Sequence, residues 1–189
     1  MTGVVASALA VDADGCALAP MMTWLDERGE PLNSAVLEGP DGGDSFMLWA
    51  TLHGLPPAAS LGRVLWHQQR MPEVHARAAA YLEPMDFLGA QFTGRIAATP
   101  NSTIPYTLTD TRSLDNVAWS DELIARSGVD ATRLPPIIAP MSLLGTLTPQ
   151  AATVLGLPSG IPVIVGTNDS VAAAVGTGSL VPGRGTVVM

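Results

Sequence analysis

Residues 161–185, IPVIVGTNDSVAAAVGTGSLVPGRG, say more about the fold than any other segment of the chain. A short run rich in β-branched residues at 161–165 ends at a Gly-Thr-Asn-Asp turn, and an alanine- and valine-rich segment of helical character follows at once. This order predicts a strand, a tight turn and a helix. In an open α/β sheet, ligands bind where the strands end, so the pattern predicts that Asp169 projects into a cleft.

Asp169 itself has two interpretations. The partial positive charge of a helix N-terminus favours an ionised carboxylate, and a positioned carboxylate can accept a proton from a substrate hydroxyl. An Asp or Asn just before a helix is more often an N-cap, so the residues taken alone favour the capping interpretation.

The composition restricts the class of protein. With 189 residues, 47% of them hydrophobic, the chain can bury the core of one domain or a domain and a half. Seventeen acidic against nine basic residues give a net charge of -8, which disfavours nucleic acid and anionic membrane surfaces as partners and favours a neutral small molecule. One cysteine, Cys16, excludes an internal disulfide framework and fits a reducing compartment. Without a signal peptide or a long apolar run, the chain is predicted to be cytoplasmic.

The rest of the chain predicts an opening hairpin and then mainly helices. The hairpin turns at 12–15 and ends near Trp24, and a surface excursion at 30–44 follows it, with a short helix at 34–38. A polar loop is predicted at 101–107. The longer helical patterns lie at 58–69, 72–81, 120–128 and 148–156, and a short turn of helix is predicted at 85–89.

The ends of two helices are predicted in more detail. Ser120 and Thr148 are typical N-caps, and Gly128 and Gly156 occupy the left-handed position that ends a helix.

Trp24, Asp26 and Arg28 form a second candidate site. On an extended segment, the two-residue period places all three on one face. An indole stacks on the C–H side of a polyol, while a carboxylate and a guanidinium hold vicinal hydroxyls by charge-assisted hydrogen bonds. The alternative, a surface Asp–Arg pair beside a half-buried Trp, has equal weight from the residues alone.

Other chemistries are not supported. The three histidines and one cysteine lack any zinc-ligand spacing, so no metal ligands are predicted. Neither a G-x-S-x-G elbow nor a G-x-x-x-x-G-K-[ST] loop is present.

Several short motifs follow one another in a fixed order along nearly the whole chain. They are the DADG turn at 12–15, Trp24 with Asp26 and Arg28, residues 62–66 with Pro72-Glu73, Asp86-Phe87-Leu88 with Thr93-Gly94, Trp119-Ser120 with Leu123, residues 145–148, residues 156–158, Gly160 with Pro162-Val163, and Gly166 with Asp169. Each motif is weak, but their collinearity is specific. The set resembles the N-terminal domain of the FGGY family of carbohydrate kinases.

The resemblance implies a fold and an activity. The fold is the α/β, ribonuclease H-like domain of the actin and hexokinase type, with a helical insert, extending over 1–189. The activity is transfer of the ATP γ-phosphate to a hydroxyl of a ketose or polyol such as xylulose, with Asp169 as the catalytic base. Substrate contacts fall on Trp24, Asp26 and Arg28, and less strongly on Asn168 and Arg63. Xylulokinases are the most similar members, and gluconate-, ribulose- and glycerol-type kinases are alternatives.

The sequence also departs from the family. The family's Asp-x-Gly-Thr hairpin is absent upstream, its Met-His-Gly stretch is replaced by residues 5–8 (VASA), and its Gly-Thr-Thr or Gly-Thr-Ser loop is absent downstream. We therefore expect the sugar-binding part of a kinase without its C-terminal ATP-binding domain. ATP and Mg²⁺ are expected of the complete enzyme, and neither is expected to bind this chain alone. A small-molecule sugar and the missing kinase domain are the expected partners, and a homodimer is left open. The alternative function is a non-catalytic sugar-binding or assembly module.

Overall fold

The strands are short, and each pairs with one neighbour in the part of the chain that the computed structural model describes, residues 2–39, 43–179, 181, 183 and 185. The first pair is parallel and the other three are antiparallel. The pairs are β1 (Thr2–Gly3) with β8 (Thr167–Asn168), β2 (Leu9–Val11) with β3 (Ala80–Leu82), β4 (Thr109–Asp110) with β5 (Ala118–Trp119), and β6 (Leu143–Thr146) with β7 (Pro162–Ile164).

Helices make up most of the regular structure. The α-helices are α1 (Glu30–Glu38), α2 (Gly43–Leu52), α3 (Ser60–Arg70), α4 (Pro72–Arg77), α5 (Pro84–Thr93), α6 (Pro100–Thr103), α7 (Asp121–Ser127), α8 (Pro149–Leu155) and α9 (Asp169–Gly176). Short 3-10 turns cover Glu27–Gly29, Ile104–Tyr106, Leu114–Asn116 and Ala131–Arg133. Among the described residues, no helix is both long and apolar enough to cross a membrane.

The predicted helix ends at Ser120 and Thr148 are confirmed. The Ser120 side chain accepts a hydrogen bond from the Leu123 N–H, and Thr148 accepts one from Ala151. Gly128 and Gly156 close the same two helices with φ angles of 75° and 66°, a region in which glycine is favoured.

The opening hairpin is confirmed around its turn but not as one continuous strand from the start of the chain. The turn closes with a 3.0 Å hydrogen bond from Gly15 N to Asp12 O, and the arms meet at the bridge between Ala8 and Met22. Before the hairpin, β1 pairs with β8 instead, and Ala6 has a φ of 62°. The alternation of small and apolar residues hides this break.

Three predicted helix limits are wrong. The helix predicted over 72–81 ends at Arg77, because Ala80–Leu82 pairs with β2 and is buried throughout. The helix predicted at 85–89 spans Pro84–Thr93 and ends at Gly94 in the left-handed region. The helix predicted at 34–38 begins at Glu30, with a proline in its first turn.

The polar loop predicted at 101–107 is also wrong. The segment forms α6 and a 3-10 turn, because Thr99 and Ser102 form a reciprocal capping box. Part of the surface excursion predicted at 30–44, residues 40–42, lies outside the described residues.

The core joins the central strands β2 and β3 to the helices. Its largest cluster includes Trp49, Leu61, Tyr81 and Tyr106, all almost fully buried. Helix α3 lies against α1 and the 3-10 turn Glu27–Gly29. This packing fixes the segment that begins at Trp24.

Candidate active site

Asp169 is not the N-cap of α9. The Asn168 side chain is the cap: its Oδ1 accepts a 2.8 Å hydrogen bond from the Val171 N–H. Asp169 is the first residue of the helix and is exposed, and its Oδ1 accepts a 2.7 Å bond from the Ser170 N–H. Oδ2 of Asp169 accepts no hydrogen bond from the described residues in this geometry. The carboxylate is therefore available to a ligand.

Asp169 lines an open cleft of about 590 Å³. The parallel pairing of β1 with β8 places Gly3 beside Asn168, so the residues after β1 run next to the start of α9. The cleft is lined by Val4, Val5, Ala6, Trp24, Asp169, Ser170 and Ala173. Asp169 thus lies at a cleft beside a strand end, as the sequence predicted.

Trp24 lies in the same cleft although it is far from Asp169 in the sequence. Its side chain is 57% exposed, which leaves the indole accessible to a ligand. The backbone carbonyls of Thr23 and Trp24 accept 3.0 Å hydrogen bonds from the Arg63 guanidinium, which is itself only 3% exposed. Arg63 therefore positions Trp24 and does not line the cleft.

Asp26 and Arg28 do not share an extended face with Trp24, which corrects the sequence prediction. Asp26 caps the 3-10 turn Glu27–Gly29, which contains Arg28, and the two side chains form a bidentate ion pair. The hydrogen bond from Arg28 lowers the pKa of Asp26. The guanidinium carbon of Arg28 lies 4.2 Å from the centroid of the Trp66 ring, a cation–π contact. Neither side chain is among those lining the cleft.

Asn168 is likewise occupied by the fold. In addition to its capping bond, its Nδ2 donates a 3.3 Å hydrogen bond to the Asn101 carbonyl. Of the five predicted substrate contacts, only Trp24 lines the cleft with Asp169. The other four lie outside its lining: Asp26, Arg28, Arg63 and Asn168.

Two buried carboxyl groups outside the cleft lining were not predicted to be functional from the sequence. Burial, helped by the nearby Asp86 charge, raises the pKa of Glu83 to about 8, despite opposing hydrogen bonds from Ser60 and Ser7. Burial likewise raises the pKa of Asp86 to about 7. The one available signal was an acidic residue directly after the apolar strand Ala80–Leu82.

The described cleft residues do not fit an ATP or metal site. No lysine or arginine is among the residues lining the cleft, although triphosphates are held mainly by cations and backbone amides. Within the ranges that the structure describes, no group of three or more His, Cys, Asp and Glu side chains could hold a metal ion. The described lining of the cleft thus consists of apolar side chains, the Trp24 indole, the Ser170 hydroxyl and the Asp169 carboxylate.

Comparison with known proteins identifies the family. Residues 1–176 match the model of the N-terminal domain of the FGGY family of carbohydrate kinases. The chain belongs to this family. The ribonuclease H-like fold of the actin and hexokinase type, predicted from the resemblance, is confirmed by the similarity to solved sugar kinases.

The relatives cover several substrates. The chain is 29% identical over 130 residues to an autoinducer-2 kinase of Klebsiella pneumoniae, covering 69% of this chain and 24% of the relative. It is 21% identical over 181 residues to a gluconokinase of Bacillus licheniformis, covering 94% and 34%. The chain therefore spans about a quarter to a third of the length of these curated relatives.

Solved structures give the same result for the fold. A xylulose kinase from Rhodospirillum rubrum superposes with a TM-score of 0.83 at 24% identity, covering 96% of this chain and 37% of that one. A glycerol kinase from Plasmodium falciparum with ADP gives a TM-score of 0.78 at 18% identity, covering 94% and 35%.

Proposed function

We propose that this chain forms the sugar-binding part of a carbohydrate kinase, with Asp169 as the base that deprotonates the phosphorylated hydroxyl. The observation that carries the proposal is that Asp169 and Trp24, remote in sequence, line one cleft while Asn168 takes the capping role. An Asp needed as a cap would not be free to act as a base. Here Asn168 is the cap, and the adjacent Asp169 is the proposed base.

The cleft residues divide the work between them. The Trp24 indole offers an apolar face on which the C–H side of a polyol stacks. The Asp169 carboxylate accepts the proton of a substrate hydroxyl as that oxygen attacks phosphorus. Such transfers depend mainly on placing the hydroxyl in line. The other four predicted contacts hold the segments around Trp24 and Asp169 in place and are positioning residues in this proposal: Arg63, Asp26, Arg28 and Asn168.

The phosphoryl donor is a second substrate. The family resemblance makes it ATP, accompanied by Mg²⁺, and the cleft residues described above provide no site for either. No step is therefore assigned to this chain for the donor phosphates. The predicted cytoplasmic location also stays a proposal, supported by the single, exposed Cys16, which fits a reducing compartment.

The sugar is proposed only as a class, a small ketose or polyol. The relatives are named for autoinducer-2, gluconate, xylulose and glycerol, and xylulose is the substrate we would test first because of the similarity to xylulose kinases.

Substitution of Asp169 by Asn tests the base directly. The amide keeps the size of the side chain and removes its basicity, so in a catalytically complete enzyme carrying this domain kcat should fall by about a hundred- to ten-thousand-fold. The KM for the sugar should change by less than about threefold. Asp121→Asn is the matched control, because Asp121 is also the first residue of a capped helix and lies outside the cleft lining. Near-wild-type turnover by Asp169→Asn would remove Asp169 as the base.

The cation-free cleft favours a second candidate, a sugar-binding module without catalysis. In that case the sugar binds with an affinity that Trp24→Ala reduces, and no combination with ATP gives phosphorylated sugar. Product formation that depends on Asp169 excludes this alternative.

A further inference from the structure

We propose that the cleft selects a hydroxylated substrate with a methyl or otherwise deoxygenated end, which packs against a wall formed by Val4, Val5 and Ala6. This inference rests on the proposed function, because it concerns the substrate of the same cleft. It narrows a general sugar or polyol to one that carries an apolar terminus.

The wall has no polar side chain. Val4 is 45% exposed, and Val5 and Ala6 are half-buried, so all three present hydrocarbon to the cleft. Ala173 of α9 is also in the lining and adds another methyl group. The polar side-chain groups of the lining are those of Asp169, Ser170 and the Trp24 indole. A hydroxyl facing the wall therefore meets no side-chain donor or acceptor there.

The residue that directly follows the wall is held by the protein. The Ser7 N–H donates to both carboxyl oxygens of Glu83, at 3.2 and 3.0 Å, and the Ser60 hydroxyl donates to Glu83 at 2.6 Å. Glu83 and Ser60 are fully buried. The Ser7 amide next to the wall is thus already used and cannot donate to a substrate.

Ala6 completes this fixed arrangement with a φ of 62°, a conformation that is uncommon for a residue other than glycine. Such a conformation persists only where the surroundings impose it. The wall is therefore a built surface, and its apolar character is a property of the site.

The expected selectivity is moderate. A hydroxyl placed against hydrocarbon loses hydrogen bonds to water, but an open apolar pocket cannot strongly reject an added hydroxyl. We expect the deoxygenated member of a matched pair to bind about five- to twentyfold more tightly than its hydroxylated counterpart.

The test compares two matched pairs of ligands by NMR titration of the 189-residue chain. The pairs are 1-deoxy-D-xylulose with D-xylulose, and propane-1,2-diol with glycerol. The expected result is tighter binding of the deoxygenated member in at least one pair, with the Trp24 indole resonance shifting. Val4→Thr, which replaces a methyl group by a hydroxyl at equal size, should reduce the preference at least threefold. Val154→Thr is the matched control, because Val154 is 86% exposed on α8 and outside the cleft lining.

The outcomes separate this inference from the proposed function. If the hydroxylated compounds bind through Trp24 as tightly as the deoxygenated ones, or more tightly, the inference is wrong and the sugar-binding function stands. An unchanged preference in Val4→Thr also overturns it, since the wall then does not contact the ligand. If no compound of either pair binds, the proposed function fails, and the inference that rests on it fails too.

Discussion

Glu83 should make the stability of the protein depend on pH, and one amide substitution tests this. The side chain is fully buried, and its pKa is raised from 4.5 to about 8, chiefly because burial penalises the charged form. In the unfolded chain the same carboxyl ionises near its ordinary pKa. Unfolding therefore releases a proton between these two values, and raising the pH favours the unfolded state.

The size of the effect follows from the shift. One proton released on unfolding lowers the free energy of unfolding by about 1.4 kcal/mol per pH unit, up to about 5 kcal/mol across the window from 4.5 to about 8. This stabilisation is fully present below pH 4.5, is lost as the pH rises to about 8, and changes no further above it. Asp86 adds a similar slope between 3.8 and about 7.

The assay is urea denaturation of wild type and Glu83→Gln at pH 5, 6, 7 and 8. Because the amide does not titrate, the variant should lose about 1.4 kcal/mol per pH unit of the wild-type slope and gain stability relative to wild type as the pH rises. Glu38→Gln, at an exposed site at the end of α1, should leave the slope unchanged. Parallel profiles for wild type and Glu83→Gln would refute the reasoning, since they require a carboxyl that titrates alike in both states.

Two further substitutions test the packing and the cap. Gly62→Ala would place a methyl group inside the contact distance of the Gly29 carbonyl and should destabilise the chain by about 2 kcal/mol or more. Gly176→Ala is the control, because Gly176 has open space around it and should tolerate the methyl group. Equal thermal midpoints for the two variants would contradict this expectation. Asn168→Ala should lower the free energy of unfolding by about 1 kcal/mol because it removes the α9 cap, and Asp169→Ala should lower it clearly less. If urea denaturation gave the reverse order, Asp169 and not Asn168 would be the cap.

Local signals were sufficient where neighbouring residues determine the structure. The caps at Ser120 and Thr148 and the Asp12 turn depend on hydrogen bonds within four residues, so the sequence predicts them directly. The placement of Asp169 at a cleft follows from the same kind of local pattern, a strand end leading into a helix.

The failures occur where distant residues compete with local preference. The segment 78–82 continues a helical pattern, but pairing with β2 draws it into a strand. The alternation that suggested a common face for Trp24, Asp26 and Arg28 was overridden by the Asp26 cap, which starts a 3-10 turn and redirects Arg28 to Trp66. Neither the pairing with β2 nor the Asp26 cap can be inferred from the local hydrophobic pattern.

Helix α3 holds two segments beside the cleft, and sequence patterns cannot show this link. Its first residue, Ser60, donates to Glu83, which accepts from the Ser7 amide directly after the Val4–Ala6 wall. One turn later, Arg63 donates to the carbonyl of Trp24, another residue of the lining. Because residues three apart lie on the same face of a helix, one short surface of α3 holds both segments. The sequence separations of 76 and 39 residues in the Ser7–Glu83 and Trp24–Arg63 bonds explain why neither is visible locally. The buried Glu83 and Arg63 side chains thus hold the backbone beside the cleft, while Asp169 and Trp24 are exposed to a ligand.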